Sequence, residues 1–272
     1  MEQTLVLLAI AFVTGAFGAV LGVGGGFIAV PALTILLGLP IHVAIGSSIT
    51  AVIATSSAAT LSYIKRGYVN VRLGMLLEIP AAVGAVLGAL LAVSLSGDIL
   101  KIVFAGILIY TAVAMIRKTT PTAPTEIDAE TGGWLSASFR EPTTQAQVIY
   151  APIRTSIGLL VSSLAGVTSG MLGVGGGIVK VPLMTNIMFV PARAAMATSS
   201  FMIGLTGAAS AFIYYSHGFA PPQIAGTTAV GVLIGATVGA KVFRRLNPRL
   251  LVFAFIWLLI ISAARMIIEV IR

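Results

Sequence analysis

The six residues Leu21-Gly22-Val23-Gly24-Gly25-Gly26 recur unchanged as Leu172-Gly173-Val174-Gly175-Gly176-Gly177, each time inside a long apolar run. This duplicated glycine break constrains the chain more than any other feature. Each glycine costs about 0.5–1 kcal/mol against alanine inside a helix, so a cluster of them ends one. Backbone groups freed at membrane depth are tolerated only where protein or a water-filled cavity covers them. Two breaks at matched positions point to a central, internally lined site. The competing reading is close helix packing through the small-xxx-small seam Gly22-xxx-Gly26.

The surroundings of the breaks are those of a membrane protein. Of 272 residues, 58% are hydrophobic and 9% charged, against roughly 25% charged in soluble domains. Mean hydropathy is +1.07. Apolar stretches run at 4–22, 27–38, 43–64, 73–96 and 99–116, then at 155–173, 178–190, 194–216, 223–243 and 250–271. Most are near the ~20 residues that cross a bilayer. The stretches 27–38 and 178–190 are short, and the sequence leaves open whether they cross or turn back. The N-terminus has no basic n-region and reads as the first membrane helix, not a signal peptide.

The expected fold is therefore an all-α polytopic membrane protein of two repeats with glycine-broken short helices. The first repeat is 1–118, a polar linker is 119–153, and the second repeat is 154–272. Thr119-Thr120-Pro121-Thr122-Ala123-Pro124 opens the linker, which holds four of the eight acids. Trp134, Leu135 and Phe139 suggest a short amphipathic helix on the membrane surface.

The offset between the glycine runs is 151 residues, and it pairs much else. Pro31 falls on Pro182, Thr34 on Thr185, Pro40 on Pro191, Ser48 on Ser199, Tyr63 on Tyr214, Gly84 on Gly235 and Gly88 on Gly239. Gly84-xxx-Gly88 and its counterpart lie in unbroken apolar stretches and read as packing seams. Charge then orients the repeats. Lys65, Arg66 and Arg72 follow the third stretch, whereas the matching connection, His217 to Pro222, has no Lys or Arg. One connection later the bias reverses: Asp98 and Lys101 stand against Lys241, Arg244, Arg245 and Arg249. Basic loops face the cytoplasm, so the repeats are expected to be inverted, with the linker inside and both termini outside.

Several residues are candidate substrate ligands. Helices starting near Phe27 and Ile178 would offer free N–H groups and positive dipole ends at Gly24, Gly25, Gly26, Gly175, Gly176 and Gly177, which suits an anion. Lys180 lies just past the second glycine run, and a cation at mid-membrane costs ~2.5–3.5 kcal/mol. It reads as a fixed charge for an anionic substrate, or else as a side chain snorkelling to the interface. Hydroxyls cluster at Ser47, Ser48 and Thr50, and at Thr198, Ser199 and Ser200. Ser48 and Ser199 are preferred as oxyanion donors because the offset pairs them. The alternative is back-bonding to helical carbonyls. Asn186 is a further candidate contact. Glu78 is the carboxylate deepest in an apolar stretch. It is a candidate proton-coupling group, or it pairs with Arg72 or caps a kink before Pro80. Arg265 and Glu269, four apart, are expected to pair.

Composition also excludes. There is no Cys, so thiolate chemistry and cysteine metal sites are ruled out, and His42 and His217 are isolated. No cofactor or metal is expected. No Ser/His/Asp set or carboxylate pair suggests an enzyme. The high pI reflects loop charge placement and not nucleic-acid binding. Expected partners are a small anion and the lipid bilayer, and lateral homodimerisation stays open.

The paired segments LGVGGGFIAVPAL and LGVGGGIVKVPLM, each followed by P-x-[HR]-x-A-x-[GA]-[ST]-S, resemble the sulfite exporter TauE/SafE family, also called the toluene sulfonate uptake permease group. The resemblance covers nearly all of the chain outside the linker. It implies a prokaryotic inner-membrane permease for sulfite, sulfonates or related anions, working by alternating access. With the cell interior negative, each net negative charge expelled gains ~2.3 kcal/mol per 100 mV. Export is therefore expected, with an anion channel as the alternative.

Overall fold

The structure is a computed structural model that describes residues 2–21, 24–116, 133–141, 145–242 and 248–271. The first half contributes α1 (Glu2–Leu21), α2 (Gly26–Leu37), α3 (Ile41–Lys65), α4 (Val71–Ser94) and α5 (Gly97–Ile116). A hairpin of β1 (Ala137–Arg140) and β2 (Gln147–Tyr150) follows. The second half contributes α6 (Thr155–Leu172), α7 (Gly177–Pro182), a π-helical turn (Leu183–Ile187), α8 (Ala192–Ser216), α9 (Pro222–Val242) and α10 (Pro248–Ile271). Among the described residues, α3, α4, α5, α6, α8 and α10 are long and apolar enough to cross a membrane. The protein is thus an all-α polytopic membrane protein.

The two short segments behave differently. The stretch 27–38 forms one 12-residue helix, α2, ending at Gly38 in the left-handed region (φ 62°). The stretch 178–190 is divided. Helix α7 ends at Pro182, and a π turn carries the chain on to Met188, whose N–H reaches Leu183 O at 3.1 Å. Helix α2 doubles back along α1. A methyl on Gly25 would touch Thr14 at 3.3 Å, and Leu37 lines the same cavity as Thr4 and Leu7.

Glycine lets backbone meet backbone where the halves pack. A methyl on Gly84 would lie 2.2 Å from the Ser163 carbonyl, and one on Gly166 would lie 2.0 Å from that of Ala81. These contacts join α4 to α6. Move each position by 151 and the seam of α1 with α9 appears: Gly235 against the Phe12 carbonyl at 2.0 Å, Gly15 against that of Val232 at 2.1 Å. Each half therefore lends its fourth long element to the first helix of the other. The packing reading of Gly84 and Gly88 holds, with α6 as the partner.

Two expectations are corrected. Residues 134–139 form no surface helix. Phe139 pairs with Val148 in an antiparallel ladder, and the alternation of β1 and β2 buries Phe139 and Tyr150 while Trp134 is exposed. Burial pushes the Tyr150 phenol up to about 12. The hairpin docks on both halves. Asn70 Nδ2 donates to Leu135 O at 2.8 Å, Phe139 meets Tyr68 edge-on, Arg193 pairs with Glu141 at 3.0 Å, and Ile153 N donates to Met188 O at 3.2 Å. Second, Glu269 pairs with Lys101 of α5 at 3.1 Å, not with Arg265. This bond clips α5 to α10. Linker residues 119–132 and 142–144, and Gly22, lie outside the described residues.

Replacing Gly166 by alanine forces the α4–α6 seam apart and is expected to cost about 1–3 kcal/mol, the usual range for overpacking. Gly106 has open space around it, so Gly106→Ala is expected to be neutral or stabilising by up to about 1 kcal/mol. Thermal unfolding of the two variants in detergent checks both. Equal melting temperatures would contradict the seam.

Candidate functional site

The glycine breaks face each other at the centre. Gly24 and Gly25 have φ of 85° and 76°, and Gly175 and Gly176 have 81° and 71°. Only glycine takes this region without strain. The loops touch: a methyl on Gly26 would sit 2.4 Å from the Gly173 carbonyl. Both loops lie between Val52 of α3 and Ile203 of α8, which the offset of 151 pairs. Gly25 and Gly176 cap α2 and α7, and their carbonyls take the first helical N–H groups, at 3.0 Å from Ala29 and from Lys180. A dipole argument falls on α2, because α7 has only six residues.

Lys180 is buried to 0% exposure. It does not snorkel. Its Nζ lies 3.4 Å from Glu78 Oε2. Glu78 comes from α4 of the other half, 102 residues away in sequence. Thr206 of α8 completes the group. The Lys180 ammonium donates to its hydroxyl, which sits 2.7 Å from Glu78 Oε1 and 2.9 Å from Met202 O. Glu78 therefore pairs with Lys180 and not with Arg72, which donates instead to Trp134 O at 2.9 Å. Removing one member of a buried pair is far costlier than removing both. Two of the three ammonium protons have acceptors in Glu78 and Thr206; among the described residues no third acceptor is bonded.

The site is asymmetric. Under the offset, Lys180, Thr206 and Glu78 correspond to Ala29, Thr55 and Ala229. The hydroxyl is present in both halves, but the charges are in one. Thr55 bonds back to Ala51 O and Val52 O, both at 3.0 Å. Beside it lies a cavity of about 30 Å³ lined by Gly24, Thr55, Ser56, Tyr63 and Ser200 among others. That is roughly the volume of one water.

The serines divide. Ser48 donates to Gly173 O at 2.9 Å and to its own helix at Ile45 O. It props up the opposite glycine loop. Ser199 is fully buried and has no hydrogen-bond partner among the described residues. The carbonyl that the offset would match to it belongs to Gly22, outside the described residues. Ser200 lines the small cavity. Asn186 is exposed on the π turn, with Thr185 as its neighbour at 3.3 Å. The structure thus gathers Gly24–Gly26, Gly175–Gly177 and Ser48 at the centre and joins Lys180 to Glu78, while Asn186 stands apart. Thr206 and Thr55 went unnoticed in the sequence, although the offset matches them.

A family model describing the sulfite exporter TauE/SafE matches residues 7–266. The chain belongs to the sulfite exporter TauE/SafE family. The probable membrane transporter protein YunE of Bacillus subtilis is 24% identical, over 97% of this chain and 97% of its own length. A probable membrane transporter protein of Methanocaldococcus jannaschii is 25% identical over 89% and 87% of the two chains. One from Xylella fastidiosa is 27% identical over 84% and 80%. No solved structure matches the chain. The TauE/SafE family is one of membrane transporters, so the central ion pair sits in a protein built for passage across a bilayer.

Lys180→Met and Glu78→Leu are each expected to destabilise by about 3–5 kcal/mol, the cost of orphaning a buried charge. The double variant is expected to recover most of that loss. A double-mutant cycle by thermal unfolding in detergent measures it, and additive losses would mean the two charges do not pair.

Proposed function

We propose that this protein is a carrier that exports small sulfur-containing anions, sulfite or organosulfonates, across a prokaryotic cytoplasmic membrane by alternating access. One observation carries the reading: a lysine buried to 0% exposure beside two meeting glycine breaks, its charge balanced across the two halves by Glu78. A buried ammonium is a fixed positive charge that an anion, and not a cation, can approach. The glycine loops let backbone approach the ligand closely, and the α2 N-terminus adds N–H groups. Ser199 supplies a buried hydroxyl that has no partner among the described residues. Asn186, exposed here, would serve at most along the approach.

Alternating access is supported by the directions of the helices. Along the α4–α6 seam, Ala81 meets Gly166 and Ala85 meets Gly170, so the two helices run the same way. Helix α2 returns along α1, a short connection turns it into α3, and another turns α3 into α4. Helix α6 then runs opposite to α1, its counterpart. This favours inverted repeats that exchange roles as the site opens to one face and then the other. The basic residues Lys65, Arg66 and Arg72 lie at the hairpin's end of the molecule, which favours a cytoplasmic linker. The direct contact of the two glycine loops at Gly26 and Gly173 favours a carrier over a standing pore. Export follows from the membrane potential, which drives net negative charge outward.

Calorimetry on purified protein with sulfite, sulfate, taurine, sulfoacetate and carboxylate analogues tests the reading. A sulfur oxyanion is expected to bind, and Lys180→Ala to weaken it at least about tenfold, or 1.4 kcal/mol. Binding untouched by Lys180→Ala would remove the lysine from the site. Non-saturating flux in vesicles would return the protein to the channel class.

A further inference from the structure

The ion pair creates a difficulty for any anion that approaches Lys180, and its resolution carries a second prediction. In the empty protein Lys180 and Glu78 cancel. An anion that takes the ammonium leaves Glu78 ionised, and the site then holds one uncompensated negative charge at membrane depth. Among the described residues no other cation is at hand to absorb it. Helix α6, packed on the same side of α4, has no titratable residue between Thr155 and Leu172. On α8, Arg193 is committed to Glu141 and the Tyr214 hydroxyl to the carbonyls of Gly170 and Met171. On α4 itself, Arg72 is bonded to Trp134. The α7 contribution is Lys180 alone, and α8 adds only the neutral Thr206. An orphaned buried charge costs several kcal/mol, which a proton removes.

Resting on the anion reading above, we propose that Glu78 takes up one proton for each anion that Lys180 binds, so that the two cross together. Charge balances at every stage. The empty site holds a carboxylate and an ammonium, net zero. The loaded site holds a neutral carboxylic acid and an ammonium with its anion, again net zero for a monoanion. The one bond formed is O–H on Glu78, with the proton drawn from water on the side to which the site is open; it breaks on the other side. Thr206 keeps its place in both states. Its hydroxyl donates to the carboxylate when Glu78 is ionised and accepts from Lys180 throughout. A monosulfonate then leaves as a neutral load down its own gradient, with no help from voltage and opposed by an inward proton gradient. A dianion with one proton still carries one negative charge outward, so voltage continues to favour its export. Substrate charge, not size alone, sets which force drives transport.

The test uses methanesulfonate, which does not itself titrate near neutral pH. Binding to the purified full-length protein is measured by calorimetry at pH 7.5 in two buffers of different ionisation enthalpy, which counts protons bound on complex formation. The expected result is about one proton per anion for wild type and none for Glu78→Gln. Uptake that persists in Glu78→Gln overturns the assignment to Glu78. Where that variant does not fold, wild type in vesicles decides: methanesulfonate flux is expected to carry protons one for one and to ignore a clamped potential. Voltage-driven methanesulfonate flux without protons overturns the proposal. Binding that depends on Lys180 but takes up no proton overturns it too and leaves the carrier reading standing. Absence of binding by any sulfur oxyanion overturns both.

Discussion

A charge of either sign is expensive at membrane depth, and this chain places one of each there. Lys180 and Glu78 are tolerable only together, and they come from different halves. Their pairing therefore fixes more than a local contact. It holds α7 against α4 and puts the break at Gly175–Gly176 next to α8, where Thr206 can bridge. The broken backbone and the buried pair solve one problem between them. The glycines break the helices at the centre, and the pair keeps the charges beside that break balanced.

The second dependence is on the absence of side chains. Four carbonyls, those of Ser163, Ala81, Phe12 and Val232, occupy the space that a β-carbon on Gly84, Gly166, Gly235 or Gly15 would need. Helix association in lipid has no hydrophobic gain to draw on, so close backbone approach supplies the dispersion that holds the seams. Both seams join one half to the other. The halves are thus interleaved and not set side by side, which is why the central loops can touch at Gly26 and Gly173.

Much of this was legible in the sequence. The apolar stretches located the helices, the glycine runs located the breaks, and the offset of 151 paired residues that occupy matched places. Each signal is local or periodic, and such signals survive in one dimension. What was illegible depended on three dimensions. Lys180 and Glu78 each read as a lone charge, although two opposite charges in an apolar chain already argue for a pair. Ser48 read as an oxyanion donor but is committed to the Gly173 carbonyl, whereas Ser199 has no partner among the described residues. The segment around Phe139 read as a helix from its apolar spacing. It is a hairpin because Phe139 and Tyr150 both find a hydrophobic bed across the two halves. Glu269 chose Lys101 over its neighbour on the same helix, since packing of α5 on α10 brings the more distant group nearer.

The hairpin has one more consequence. Two identical halves related by a twofold would make the two access states of a carrier degenerate: exchanging the halves would convert one into the other at no change in energy. The hairpin breaks that equality. It is bonded to Asn70 and Arg72 on one side and to Met188 and Arg193 on the other, whereas at the opposite face Thr4, Leu37 and Gln223 border an open cavity. On the alternating-access proposal, a clasp at that face would hold one of the two states as the resting one, before any substrate or gradient acts.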